Sequence, residues 1–237
     1  MDQILKEIRA ELKNLADPEF QVTSKRFFKE TITCYGVRTP QVMKVARKYW
    51  KVVSAREKHE IFSLCEELYR SGYIEESFIV SEWAYLLRNR YEHEDFPVFR
   101  RWIESYITNW ASCDGFCNHA MGAFIEQFPE YINDLKSWTQ SRNRWMRRAS
   151  AVSLIIPAKH GMFLKEAMAI ADLLLTDDDE MVQKGYGWLL KEASRKHAGE
   201  IFSYVMKNKQ QMPRTALRYA IELMPKDLKA QAMKKEW

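Results

Sequence analysis

Glycine and proline are scarce in this chain, 8 and 7 among 237 residues. An all-β protein of that length needs many tight turns and draws on both residues to make them, so the shortage favours helices joined by short loops. Cysteine is sparse as well. Cys34, Cys65, Cys113 and Cys117 have no disulfide-framework spacing, which points to a reducing compartment. Long hydrophobic runs are missing, since Leu154-Ile155-Ile156 and Leu173-Leu174-Leu175 are short islands beside the roughly 20 residues of a membrane helix. The segment from Met1 to Glu7 alternates charge with apolar residues and lacks the apolar core of a signal peptide. A soluble, cytoplasmic protein with no membrane partner is expected.

What is present is 46% hydrophobic, enough for a sizeable core, and a single domain over 1–237 is expected. The net charge of +5 is unevenly spread: the first hundred residues hold 17 Lys+Arg against 16 Asp+Glu, the remainder 20 against 16. Between Leu135 and Lys165 lie Lys136, Arg142, Arg144, Arg147, Arg148, Lys159 and Lys165 with no acid among them. A second acid-free stretch, Ile201 to Ile221, carries Lys207, Lys209, Arg214 and Arg218. Such stretches suit a polyanion, because neutralised phosphates release counterions.

Apolar residues recur at helical spacing in nearly every segment. Ile4, Ile8, Leu12 and Leu15 share one face. Asp17-Pro18 reads as a cap opening a helix that carries Phe27 and Phe28, Thr39 as the cap of the next, and Ser54 to Glu57 as a capping box. Further helices are expected at 74–91, from Asp95 toward Tyr106, at 142–156, from Met162 to Leu175, after a capping box of Asp177 and Glu180, at 200–209 and 213–224, and over Lys226–Trp237. Successive helices of similar length with short connections are the pattern of degenerate HEAT-like repeats, so the predicted fold is all-α, a curved solenoid of helix pairs.

Thr108 to His119 interrupts this pattern with Trp110, Asp114 and Gly115 at what reads as a junction between helices. Cys113, Cys117 and His119 invite a zinc reading, but their spacing is irregular and no partner pair occurs elsewhere, so no metal is expected. Asp114 reads either as a helix N-cap or as a carboxylate facing a groove. Lys184, Trp188, Lys191 and Arg195 fall on one helical stripe, where an indole can meet a sugar or base while cations meet phosphates. Arg144, Arg147 and Arg148 cluster around Trp145.

These segments resemble the DNA alkylation repair family of HEAT-like-repeat alkylpurine DNA glycosylases. The resemblance runs through Tyr35-Gly36-Val37-Arg38-Thr39-Pro40, Trp110 to Asp114, Trp145-x-x-Arg148-Ala149, Lys184 to Glu192 and Pro213 to Arg218, in that order over nearly the whole chain. It implies hydrolytic excision of cationic N3- or N7-alkylated purines from duplex DNA by a monomer without metal or organic cofactor. It also implies that Asp114 is the catalytic aspartate, that Trp110 and Trp188 line the cleft, and that Arg148 binds DNA. Arg144, Arg147, Lys184, Lys191, Arg195, Arg214, Arg218 and Phe27 complete the expected DNA-binding set. The chain departs from the family pattern at Ala111, where a second aspartate is common, at Phe27 or Phe28 in place of a tyrosine, and at Lys191 in place of an arginine. A noncatalytic binder of damaged or branched DNA, using the same basic face, is the alternative.

Overall fold

The computed structural model describes residues 2–234. The chain divides into two compact units, Met1–Ala120 and Met121–Trp237. Among the described residues regular structure is helical, apart from one isolated bridge between Thr33 and Tyr73. No helix of the described residues is long and apolar enough to cross a membrane.

The first unit contains α1 (Gln3–Asn14), α2 (Pro18–Lys25), α3 (Thr39–Val53), α4 (Lys58–Arg70), α5 (Ile74–Leu86), α6 (Asp95–Tyr106) and α7 (Trp110–Phe116). Caps written in the sequence set the first starts: Asp2 and Asp17 accept from the backbone N–H groups of Ile4 and Phe20, and Pro18 occupies the first turn of α2. The odd-numbered helices pack in succession, α1 on α3, α3 on α5 and α5 on α7, while α4 packs on α5 and α6. This next-but-one stacking is the layering of helical repeats, in which each pair buries its apolar faces against the following pair. Helix α5 is buried on nearly all sides and is accordingly central, with Ile79, Val80, Trp83 and Ala84 fully enclosed. Its Trp83 Nε1–H donates to Ala46 O of α3 at 2.9 Å, and Phe99 and Trp102 of α6 pack around Phe116 of α7.

The second unit contains α8 (Gly122–Gln127), α9 (Ile132–Trp138), α10 (Arg144–Val152), α11 (Ile155–Lys159), α12 (Leu164–Leu173), α13 (Glu180–Ala193), α14 (Ala198–Asn208), α15 (Arg214–Ala220) and α16 (Lys226–Met233). Here too α10 packs on α13, α13 on α15 and α14 on α16. The α13–α15 contact is close because Gly187 has no side chain: a Cβ there would stand 2.8 Å from Ala216 O.

Several expected boundaries shift. Helix α2 ends at Lys25, so Phe27 and Phe28 lie beyond it. Arg38, not Thr39, stands at the N-cap of α3. Ser54 closes α3, and the capping box before α4 is formed by Glu57 and Glu60. Asp179 caps α13 in place of Asp177, accepting from the N–H groups of Met181 and Val182. Helix α16 stops at Met233, and residues 235–237 of the expected tail helix lie outside the described residues.

Candidate functional site around Trp110 and Asp114

Two buried carboxylates on α5 organise the approach to the site. Glu75 Oε1 accepts from the backbone N–H groups of Gly36 and Val37 at 2.8 and 3.0 Å, and Oε2 from that of Tyr35 at 3.0 Å. Glu76 accepts the Tyr35 hydroxyl at 2.7 Å and the Arg9 guanidinium at 3.0 Å. Burial, reinforced by this neighbouring carboxylate, raises the Tyr35 pKa, so its phenol stays a donor. Gly36 has a φ of 90°, and a Cβ there would lie 2.6 Å from Asp17 O. The Tyr35-Gly36-Val37 motif is therefore a clamped turn that fixes the extended segment between α2 and α3. Sequence reasoning passed over Glu75 and Glu76. The available signal was that apolar residues on α5 are spread around the helix with no separate polar face, so that acids among them become buried.

The stretch that reads as a junction is itself mostly helix. Asn109 is the N-cap of α7, its side chain accepting from Ser112 N–H at 2.9 Å. Asp114 thus lies inside α7, one turn after Trp110 and on the same face. Both keep partial exposure to solvent. Directly after α7 the backbone passes through a π-helical turn, Cys117–Met121, a local unwinding that recurs at functional sites. Cys113 and Cys117 are fully buried. Among the described residues no three His, Cys, Asp or Glu side chains gather as a metal-binding group.

Trp110 is held firmly. Its ring stacks on Phe28 with centroids 5.3 Å apart, and its Nε1–H donates to Phe27 O at 3.3 Å. Phe27 itself is 73% exposed. Trp110, Phe27 and Phe28 border a cavity of about 460 Å³ between α2, α3, α5 and α7, lined mostly by apolar side chains including Phe20, Met43, Phe78 and Ala111. Ala111, at the position where a second aspartate was expected, presents a methyl group to this space.

In the second unit the predicted cations gather on α10, α13 and α15, and most carry an acidic partner. Arg144 pairs with Asp179 at 2.8 Å and lies over the Trp145 ring, and Arg147 pairs with Asp177 at 2.7 Å. Lys184 pairs with Glu180 and Lys191 with Glu222, each at 2.8 Å, and Arg195 with Glu192 at 2.5 Å. Arg148 is buried, donating from Nη1 to Met181 O and packing against Gly185, so it fastens α10 to α13. Arg214 and Arg218 are exposed on α15, and Trp188 is half-buried on α13.

The family described as DNA alkylation repair enzyme matches residues 8–224. A comparison of sequence with curated proteins finds no match. Among solved structures, a predicted DNA alkylation repair enzyme from Enterococcus faecalis superposes with a TM-score of 0.80 at 16% identity, over 89% of this chain and 97% of that one. Pseudomonas fluorescens alkylpurine DNA glycosylase AlkC, bound to DNA containing an abasic site analog, superposes with a TM-score of 0.56 at 15% identity, over 99% of this chain and 66% of that one.

Proposed function

The chain belongs to the DNA alkylation repair enzyme family, and from that premise we propose that it is a DNA glycosylase excising cationic N3- or N7-alkylated purines from duplex DNA. The observation that carries this reading is the place of Asp114: Asn109 is the N-cap of α7, and Asp114 lies inside that helix as a partly exposed carboxylate one turn from the Trp110 indole.

The chemistry asks for little more. An alkylated purine is already cationic and leaves with the bonding electrons without a general acid. The barrier is positive charge developing on the deoxyribose. A carboxylate beside that centre stabilises it electrostatically and can orient the attacking water. The indole face of Trp110 would pack on the sugar and favour the same charge. The exposed Arg214 and Arg218 would contact phosphates, with Phe27 against the duplex.

Release of free 7-methylguanine or 3-methyladenine from methylated duplex DNA is the test. The wild-type protein should release base, and Asp114→Asn should slow release by about a hundredfold or more, the usual effect of removing one electrostatic stabiliser. No release by the wild-type chain, or equal release by Asp114→Asn, overturns the mechanism. Tight, salt-dependent DNA binding without release selects the noncatalytic binder.

A further inference from the structure

No residue of α2 is buried, yet the turn that ends this helix grips an aromatic side chain on α7. We propose that Phe28 is a positioning residue of base excision, holding the Trp110 indole in the orientation that meets the deoxyribose, an assignment that rests on the glycosylase reading above.

Trp110 opens α7 with its side chain partly exposed, and an indole so placed can turn about its side-chain bonds. Contacts from the turn remove that freedom. The Phe28 ring lies 5.3 Å from the indole with an interplanar angle of 18°, an offset stack that covers one face. The indole Nε1–H donates to Phe27 O at 3.3 Å, which fixes the rotation of the ring in its own plane. This leaves the opposite face for the sugar, and a ring ordered beforehand loses little freedom when the sugar arrives.

Phe28 can hold the indole because it is itself seated. Phe28, Phe78 and Ala111 pack against a buried cluster of Ile32, Cys34 and Ile74. Ala111 adjoins Trp110 in sequence, so the methyl group at the position where a second aspartate is common serves this seat, and a carboxylate there would face apolar side chains. The backbone is tied down as well. The N–H groups of Arg26, Phe27 and Phe28 donate to the carbonyls of Thr23, Ser24 and Lys25, each at 3.2 Å. Gln21 Nε2 donates to Cys34 O at 2.7 Å, and Asp17 N–H to Gly36 O at 3.1 Å. Gly36 lies in the turn that Glu75 clamps. A line of short contacts therefore runs from a buried carboxylate on α5, through α2, to the indole on α7.

Single-turnover release of 7-methylguanine from methylated duplex, and duplex affinity by anisotropy, are measured for the full chain, Phe28→Ala, Trp110→Ala and the double variant, well below their unfolding midpoints. Phe28→Ala should slow release by about tenfold or more, as a misplaced reacting geometry does, with duplex affinity unchanged. The double variant should be no slower than Trp110→Ala, because a residue that acts through the indole has nothing to hold once the indole is gone. Phe28→Tyr, which keeps the ring, should restore the rate, and Phe28→Leu, apolar but without a ring plane, should not. The leucine variant also replaces alanine in the cycle if the latter does not fold. In protein labelled with 5-fluorotryptophan, the fluorine resonance assigned to Trp110 by its loss in Trp110→Ala should shift in Phe28→Leu and return in Phe28→Tyr. Unchanged release by Phe28→Ala, a rate loss matched by lost affinity, multiplied losses in the double variant, no recovery with tyrosine, or a Trp110 resonance indifferent to position 28 overturns the role of Phe28 and leaves the glycosylase. No release by the wild-type chain overturns the glycosylase reading, and with it any role in excision.

Discussion

Single side chains decide how the first unit presents its site. Glu75 is 2% exposed, and its carboxylate is the acceptor for three consecutive backbone N–H groups. Glu75→Ala would strand those donors in a buried turn, and at about 1 kcal/mol or more per orphaned group the loss should reach about 3 kcal/mol. Urea denaturation measures it, with Glu75→Gln, which retains one acceptor oxygen, falling between. His119 contributes a pH dependence. Its side chain is exposed by surface area while its ring meets Tyr85 at 5.6 Å, and partial desolvation lowers its pKa below 6.5, with Glu82 opposing the shift. The unfolded chain therefore takes up a proton at a pH where the folded protein does not, and stability falls as pH drops from about 6.5 through the folded value. His119→Phe should flatten that part of the profile in thermal melts from about pH 7 down to about pH 5.

Elements fit together through close approaches and ends that periodicity alone does not reveal. The α13–α15 packing depends on Gly187, and Gly187→Ala would drive a methyl group into the Ala216 carbonyl and the Tyr219 side chain, each 2.8 Å away. Backbone must then shift, at a cost of about 1–3 kcal/mol, seen as a lower unfolding midpoint. Helix α2 illustrates the other point. Its apolar pattern continues to Phe28, but Arg26, Phe27 and Phe28 donate to the carbonyls of Thr23, Ser24 and Lys25 in tight turns, and Phe28 meets Trp110. A partner more than eighty residues away takes the ring that the pattern assigned to the helix.

For the molecule as a whole the net charge of +5 overstates the cations free to meet a polyanion. The segment from Leu135 to Lys165 has no acid in sequence, yet Asp177 and Asp179 arrive from the loop before α13 to pair with Arg147 and Arg144. DNA affinity should consequently depend unequally on these residues. Arg218→Ala should lower the slope of log affinity against log salt by roughly 0.9, the value for one phosphate contact. Arg147→Ala should change it far less, since its guanidinium is already tied to Asp177. Anisotropy titrations of duplex DNA over a salt series distinguish the two.

By itself the sequence determined the all-helical class, the cap at Asp17, and the family, because those follow from local hydrogen bonding, from apolar period and from short motifs in order. It also brought Trp110 and Asp114 to notice. Tertiary structure decided what these residues meet. Asp114 can be read as a cap in sequence, and the structure gives that place to Asn109, whose extended backbone opens α7. The roles of Glu75 and Glu76, the carboxylates that hold the cations of α10, and the cavity beside Ala111 all arise from contacts between residues far apart in the chain. Such contacts depend on which faces the stacked helices bring together, and no local pattern encodes that.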